Sequence, residues 1–176
     1  IVVDQTRPNQ DFINALNSLG LSYDLIEDES LGTSDLSTYG MILVGDQLFN
    51  NLNADIVNSH NSLIVNPTYV DDFGFASRNA IQIGSSQPLK IKNIKPDHVI
   101  NKDMPLEIQV YTTCCNGPTS IPMYALRKIY TSVRMIKIDS TMNDPGDSVI
   151  AAALPGVILL NGKTTQGRNL FFGVTE

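Results

Sequence analysis

The spacing of apolar residues predicts strands that alternate with helices in the first part of the chain. Four short apolar runs are typical of buried strands: 1–5, 21–28, 41–45 and 62–67. Two segments between them carry apolar residues at helical spacing: 11–19 and 50–61. The first of these predicted helices ends at Gly20. This alternation favours right-handed βαβ units and a parallel sheet.

After Pro67 the pattern changes to that of strands. Six runs are alternating or continuously apolar: 80–84, 89–94, 106–113, 129–138, 148–163 and 169–174. Only 120–128 has a helical pattern, and we expect one short helical turn there. A glycine-containing turn within 158–174 predicts a hairpin whose last strand returns to the main sheet.

These patterns predict one three-layer α/β domain over residues 1–176, with a mostly parallel sheet and a β-rich C-terminal half. The 176 residues suit a single core, and no linker or internal repeat divides them. The sequence starts without Met and stops where a strand ends. We therefore expect the domain to be part of a longer chain.

The composition and charge of the chain disfavour some classes of binding partner. Charged residues make up 17% of the chain, and 18 acidic against 12 basic residues give a net charge of −6. Nucleic-acid binding is disfavoured because phosphate neutralisation needs a basic stripe. No apolar run approaches the roughly 20 residues of a membrane span. The polar but uncharged remainder is common in extracellular, cell-surface and virion proteins, although a cytoplasmic location stays open.

Several segments together resemble a known superfamily. The strand-helix-strand start "IVVDQ" with "FINALNSLGLSYDLIEDES", then "LSTYGMILVGDQ", "DHVINKDMP" and the terminal "GRNLFFGV", resemble the class I glutamine amidotransferase-like superfamily. The likeness is to its degenerate members, which are modules of large, often extracellular proteins of archaea and bacteria. It implies a flavodoxin-like fold over most of the chain.

The resemblance also identifies where catalytic residues belong. Active members carry a Cys on a tight turn after a strand, and a late His with an acid activates it. The matching turn here holds Asn66 and Pro67, and no His follows His98. The resemblance therefore implies a member that lacks the catalytic Cys and His, and we expect no catalytic residue and no cofactor.

A candidate cleft is predicted at the carboxyl ends of the parallel strands, where open α/β sheets bind ligands. Its candidate residues are polar and follow predicted strands: Asp4, Asp46, Asn66, Asp71 and Asp72. Their oxygen atoms suit Mg²⁺ or Ca²⁺. Asp and Asn are equally favoured in turns and caps, so local hydrogen bonding is the preferred interpretation and we expect no metal.

Three further features have both a structural and a functional interpretation. Cys114 and Cys115 are adjacent, which excludes a CxxC site; they form a possible disulfide, or links to other chains, or are two small residues at a strand end. His98 most simply fixes a turn. The lysines within 90–95 are typical of an exposed edge strand.

The sequence predicts a non-catalytic structural or interaction module of a larger extracellular, surface, filament or virion-type assembly. Other protein chains are its expected partners, as a homo-oligomer or larger assembly formed through exposed strand edges. The alternative is a hydrolase or small-molecule binder that uses the cleft beside Asp4 and Asp46.

Overall fold

The computed structural model describes eight segments of the chain: 2–3, 10–45, 49–76, 81–83, 89–111, 123–126, 133–138 and 148–173. The helices in these segments are α1 (Gln10–Ser18) and α2 (Ala54–Ser59). The strands are β1 (Val2–Val3), β2 (Leu25–Ile26), β3 (Ile42–Val44), β4 (Ser62–Ile64), β5 (Ile81–Ile83), β6 (Leu89–Asn93), β7 (Glu107–Tyr111), β8 (Met123–Ala125), β9 (Val133–Ile138), β10 (Ser148–Ala153) and β11 (Asn169–Phe172). None of the described helices is long and apolar enough to span a membrane.

Nine of the described strands form one sheet, in the order β2-β1-β3-β4-β11-β10-β9-β6-β7. Pairing is parallel from β2 to β11 and antiparallel from β11 to β7. The predicted α/β class, with a parallel first half and a β-rich second half, is confirmed.

The main core lies on the face of the sheet that α2 covers. Ile42, Val44 and Ile64 point to this face and are at most 1% exposed, and Phe171 of β11 is fully buried beside them. These strands are apolar because both of their faces are covered. The other face carries a smaller cluster in which Leu43 packs against α1.

Helix α2 starts where a polar side chain satisfies the first free amides of the helix. The side-chain oxygen of Asn53 accepts hydrogen bonds from the N–H groups of Asp55 and Ile56. Asn is among the residues most favoured at this position. The predicted helix over 50–61 is therefore confirmed in its central part. Residues 50–52 precede the helix, and Asn53 caps it.

Strand β11 enters the middle of the sheet, between β4 and β10. The predicted return of the last strand to the main sheet is confirmed. The predicted first arm of that hairpin is wrong, because 154–168 is an irregular connection with a single isolated bridge, between Ile158 and Thr164. The hairpin partner of β11 is instead β10; this strand ends just before Pro155 and Gly156, and Gly156 has a φ of 87°.

Two other predictions are also wrong. The expected helical turn within 120–128 contains β8, which pairs antiparallel with β5, so tertiary pairing overrides the local pattern. Strand β6, which carries Lys90 and Lys92, is not an edge strand, because β7 lies outside it.

Candidate functional site

The sequence predicts a cleft where the parallel strands end, and Asn66 is one of the predicted residues that the structure describes. Asn66 follows β4 and is completely buried. Its side-chain oxygen accepts a hydrogen bond of 2.9 Å from the N–H of Thr68, which closes a turn that Asn readily forms. The place where the resemblance puts a nucleophile is thus a closed turn with its side chain turned inward.

A buried carboxylate that was not predicted from the sequence follows β2, the outermost described strand at this end of the sheet. Asp28 follows β2 and is 1% exposed. Its Oδ2 accepts hydrogen bonds from the N–H groups of Asn50 and Asn51, both at 2.8 Å. Among the residues that the structure describes, its Oδ1 has no hydrogen-bond partner. The carboxylate therefore ties the end of β2 to the segment that follows β3.

The segments after β3 and β4 are tied together by Tyr69 and Phe49. The Tyr69 hydroxyl oxygen accepts a hydrogen bond of 2.9 Å from the N–H of Phe49, and the hydroxyl donates one of 3.1 Å to its carbonyl. Their ring centroids are 5.5 Å apart with the planes tilted by 51°, a favourable arrangement for two aromatic rings. These contacts fix the loops at this edge of the sheet.

Of the other predicted site residues, the structure describes Asp71 and Asp72. Asp71 and Asp72 are exposed in the turn after β4, where Gly74 adopts a φ of 76°. Asp4, Asp46, Cys114 and Cys115 lie outside the described residues. Within the described segments, no group of three or more His, Cys, Asp or Glu side chains could hold a metal ion.

His98 has the turn-fixing role that was predicted for it. Its Nδ1 accepts a hydrogen bond of 3.3 Å from the N–H of Ile100, at the start of the short helical turn Val99–Asn101. The same loop is closed by Asn101, whose side-chain amide donates to Asn93 at 2.9 Å. This part of the family-like "DHVINKDMP" segment is therefore a structured connection between β6 and β7.

An apolar groove of about 630 Å³ lies on the α1 face of the sheet. Its walls come from α1, from the segment after it and from the strands beneath, and they include Leu16, Leu19, Met41 and Leu63. Tyr39, also in the wall, donates a hydrogen bond to the carboxylate of Asp24. This bond raises the pKa of Tyr39 above its ordinary value.

A smaller, more polar depression of about 290 Å³ lies at the amino ends of β3, β4 and β11. His60 lines it, and its Nδ1 is within 2.9 Å of both the Ser59 hydroxyl and the Ile56 carbonyl. A carbonyl only accepts, so Nδ1 carries the proton in that contact. Both depressions lie away from the edge where the sequence predicted a cleft.

Solved structures of three bacterial proteins are similar to this chain. A ThuA-like protein from Bacteroides uniformis matches 99% of this chain and 81% of its own, with a TM-score of 0.58 and 11% identity. A cytoplasmic protein from Salmonella typhimurium LT2 matches 94% of this chain and 75% of its own, with a TM-score of 0.55 and 11% identity. A second cytoplasmic protein from Salmonella typhimurium matches 93% of this chain and 74% of its own, with a TM-score of 0.50 and 10% identity.

No protein-family model matches the sequence, and no curated protein matches it. Identities this low show a shared fold alone. ThuA has a glutamine amidotransferase-like fold, so the fold of this chain is compatible with the resemblance seen in its sequence segments.

Proposed function

We propose that this domain is a non-catalytic structural or interaction module, a degenerate relative of the glutamine amidotransferase-like enzymes that serves a larger assembly. One observation carries the proposal. Asn66 stands where the resemblance puts the nucleophile, is completely buried, and uses its side-chain oxygen to close a turn with Thr68. A nucleophile must instead be presented to substrate at the strand end.

The exposed surface supports a role in binding other chains. Several large apolar side chains are exposed at the two ends of the sheet: Leu19, Leu21, Leu25, Val99, Ile100 and Leu106. Exposed apolar groups that cluster are typical of interaction sites. The proposed location of the assembly is extracellular, at the cell surface or in a virion, in keeping with a chain in which only 17% of residues are charged.

The test is an assay for hydrolysis of glutamine and of activated acyl esters, with Asn66→Ala as the comparison. The proposal predicts that the wild-type chain and this variant give the same rate as buffer. A saturable rate in the wild-type chain that falls in Asn66→Ala would contradict it, because turnover would then depend on the strand-end turn.

A second candidate function, binding of an uncharged small molecule, is favoured by the groove on the α1 face. Its volume of about 630 Å³ falls in the range typical of ligand sites, and the side chains that line it are uncharged. The test uses an uncharged naphthylamine dye as the probe. Ala15→Trp fills the groove from α1, and Asn17→Trp places the same ring on the helix outside the lining.

Dye fluorescence that rises on binding and is lost only in Ala15→Trp would support this second function. Equal fluorescence in both variants would show that the groove is not the binding site. This result would leave the interaction-module proposal unchanged, because the observation that carries that proposal is the buried turn at Asn66.

A further inference from the structure

The apolar groove on the α1 face is built almost entirely from one segment of the chain. Twelve of its thirteen lining residues lie within 12–43, and the thirteenth is Leu63 of β4. The segment 10–45, which contains those twelve, carries six acidic residues and no Lys or Arg. The walls of the groove therefore belong to a part of the sequence that supplies negative charge only.

Three apolar side chains that line the groove project into water. Leu19 is 71% exposed, Leu21 is 52% exposed and Met41 is 46% exposed. Together they give the groove an apolar rim. Removal of apolar surface from water is favourable, and exposed apolar side chains that cluster are typical of interaction sites. The rim is therefore a surface that a partner stabilises by covering it.

Two carboxylates lie on the side of the groove that Tyr39 forms. The Tyr39 hydroxyl donates a hydrogen bond to the carboxylate of Asp24. This bond is the main cause of the raised pKa of Tyr39, and the negative charge of Asp35 adds to it. Asp24 and Asp35 are both exposed. Negative charge is thus concentrated beside an apolar surface.

Neither carboxylate is neutralised by a cation of the described residues. Asp24 accepts a neutral hydroxyl, and Asp35 accepts the N–H and the hydroxyl of Ser37, so both keep their charge. The salt bridges within the described segments use other acids, Glu107 and Asp55. Two negative charges beside an apolar groove are complementary to a partner that carries positive charge beside an apolar face.

The described cations lie well away from Asp24. Asp24 directly precedes β2, whereas Arg168 directly precedes β11, four strand-to-strand steps away, or roughly 19 Å at about 4.8 Å per step. The lysines of β6 and of the loop after it are at least seven steps away. Lys163 pairs with Asp55 of α2, which covers the opposite face of the sheet. These separations exceed the Debye length of about 8 Å at physiological salt, so the charge beside the groove stays negative.

We propose that the groove on the α1 face binds a basic amphipathic helix of a partner protein. The apolar side of that helix covers Leu19, Leu21 and Met41, and its Lys or Arg side chains meet Asp24 and Asp35. This inference rests on the proposed function, and it names the surface and the chemistry of the partner. The rival occupant is the uncharged small molecule of the second candidate function.

A helix suits the groove better than an added strand or an uncharged small molecule does. Strand addition needs an exposed edge, and β2, the outermost described strand, is only two residues long. A docked helix uses apolar side chains at i, i+3, i+4 and i+7 and needs no backbone pairing. An uncharged small molecule leaves Asp24 and Asp35 without a counter-charge.

The experiment measures binding of a fluorescent synthetic peptide to the wild-type chain by fluorescence anisotropy, at about 150 mM NaCl. The peptide has about 18 residues, or roughly five helical turns, with Leu at helical spacing and Lys elsewhere. One control peptide has Glu in place of each Lys, and another has the same composition in scrambled order. We expect saturable binding of the basic amphipathic peptide alone. No binding, or equal binding of the scrambled peptide, would overturn the proposal.

Two pairs of substitutions test the carboxylates. Asp24→Asn with Asp35→Asn removes two charges and keeps the side-chain size, and it should weaken peptide binding about tenfold. The matched control is Glu27→Gln with Glu29→Gln, which removes two exposed charges that follow β2 and lie outside the lining. It should weaken binding by less than about twofold. Equal weakening by the two pairs would show a general charge effect and overturn the proposal.

Filling the groove tests the apolar part of the contact. Peptide binding should be lost in Ala15→Trp and kept in Asn17→Trp, which lies outside the lining. Unchanged binding in Ala15→Trp would overturn the proposal, and the carboxylate pair tests it independently of this substitution. Dye binding that is lost in Ala15→Trp, in a chain that binds no peptide, would overturn the proposal in favour of the small molecule.

Hydrolase assays of the same wild-type sample separate this inference from the proposed function. A chain that binds no peptide and has no hydrolase activity contradicts the docking site alone. Turnover of glutamine or of an ester contradicts the proposed function itself.

Discussion

The carboxylate of Asp28 accepts the backbone N–H of Asn51 at 2.8 Å, although the two residues belong to loops that follow different strands. The same oxygen also accepts the N–H of Asn50. A buried charge is stable only when such donors replace the water it has lost. The ends of β2 and β3 therefore depend on this side chain for their relative position.

Replacement of Asp28 by Ala should destabilise the fold by about 2–4 kcal/mol, because two amide donors lose a charged acceptor. The free energy of unfolding measured in urea gives this quantity. Glu29→Ala is the matched control, since Glu29 is an exposed acid next in sequence, and it should change stability by less than about 0.5 kcal/mol. Equal effects of the two substitutions would contradict the role of Asp28.

Replacement of Gly74 by Ala should cost about 2 kcal/mol, because the backbone is strained and the Asn161 side chain must move and lose its hydrogen bonds. Gly74 has a φ of 76°, and a Cβ there would lie 2.7 Å from the side-chain carbon Cγ of Asn161. Gly162 provides the control: its φ is 81°, and a Cβ would meet nothing within 4 Å. Gly162→Ala should therefore cost only about 1 kcal/mol, as thermal or urea unfolding of both variants would reveal.

Tyr39 should ionise at higher pH than an ordinary tyrosine. Its hydrogen bond to Asp24 raises its pKa above 10.0 in the folded state. The bond therefore contributes stability below pH 10, and this contribution is lost as pH rises through the raised pKa. Ultraviolet titration of the wild-type chain against Tyr39→Phe isolates this group, and Asp24→Asn should lower its pKa. A Tyr39 titration unchanged by Asp24→Asn would contradict the assignment.

Amide hydrogen exchange should be slowest in the middle of the sheet. Strand β11 lies between β4 and β10, and Phe171 within it is fully buried. Central, buried strands open only in the larger unfolding events, whereas edges open locally. Exchange measured by mass spectrometry should therefore show stronger protection for β11 than for β2. Equal protection of the two strands would argue against this sheet order.

Much of the architecture could be predicted from sequence because the main strands carry continuous apolar runs. The β3 run is apolar on both faces, and all three of its residues are buried. The position of β11 in the sheet was only partly foreseeable, since its hairpin partner is β10 rather than the nearer segment 158–160. Local pattern does not encode which strand a distant segment will pair with.

The candidate site was less predictable than the fold. Asp28 stands between Glu27 and Glu29, and three consecutive acids look alike in sequence although only the middle one is buried. Asn66 was identified as a strand-end residue, and the structure shows the turn it closes. The lysines of β6 predicted an edge strand, but β6 lies one place inside the edge. A charged strand at the edge and a charged strand next to it have the same composition, so the sequence does not distinguish them.

The mass of the native particle that this chain forms, measured by light scattering under non-reducing conditions, separates a module of an assembly from an enzyme. We predict a large regular assembly without hydrolase activity, and reduction would then reveal whether Cys114 and Cys115 link its chains. A small monomeric species that turns over an amide or ester substrate would show that the proposed function is wrong.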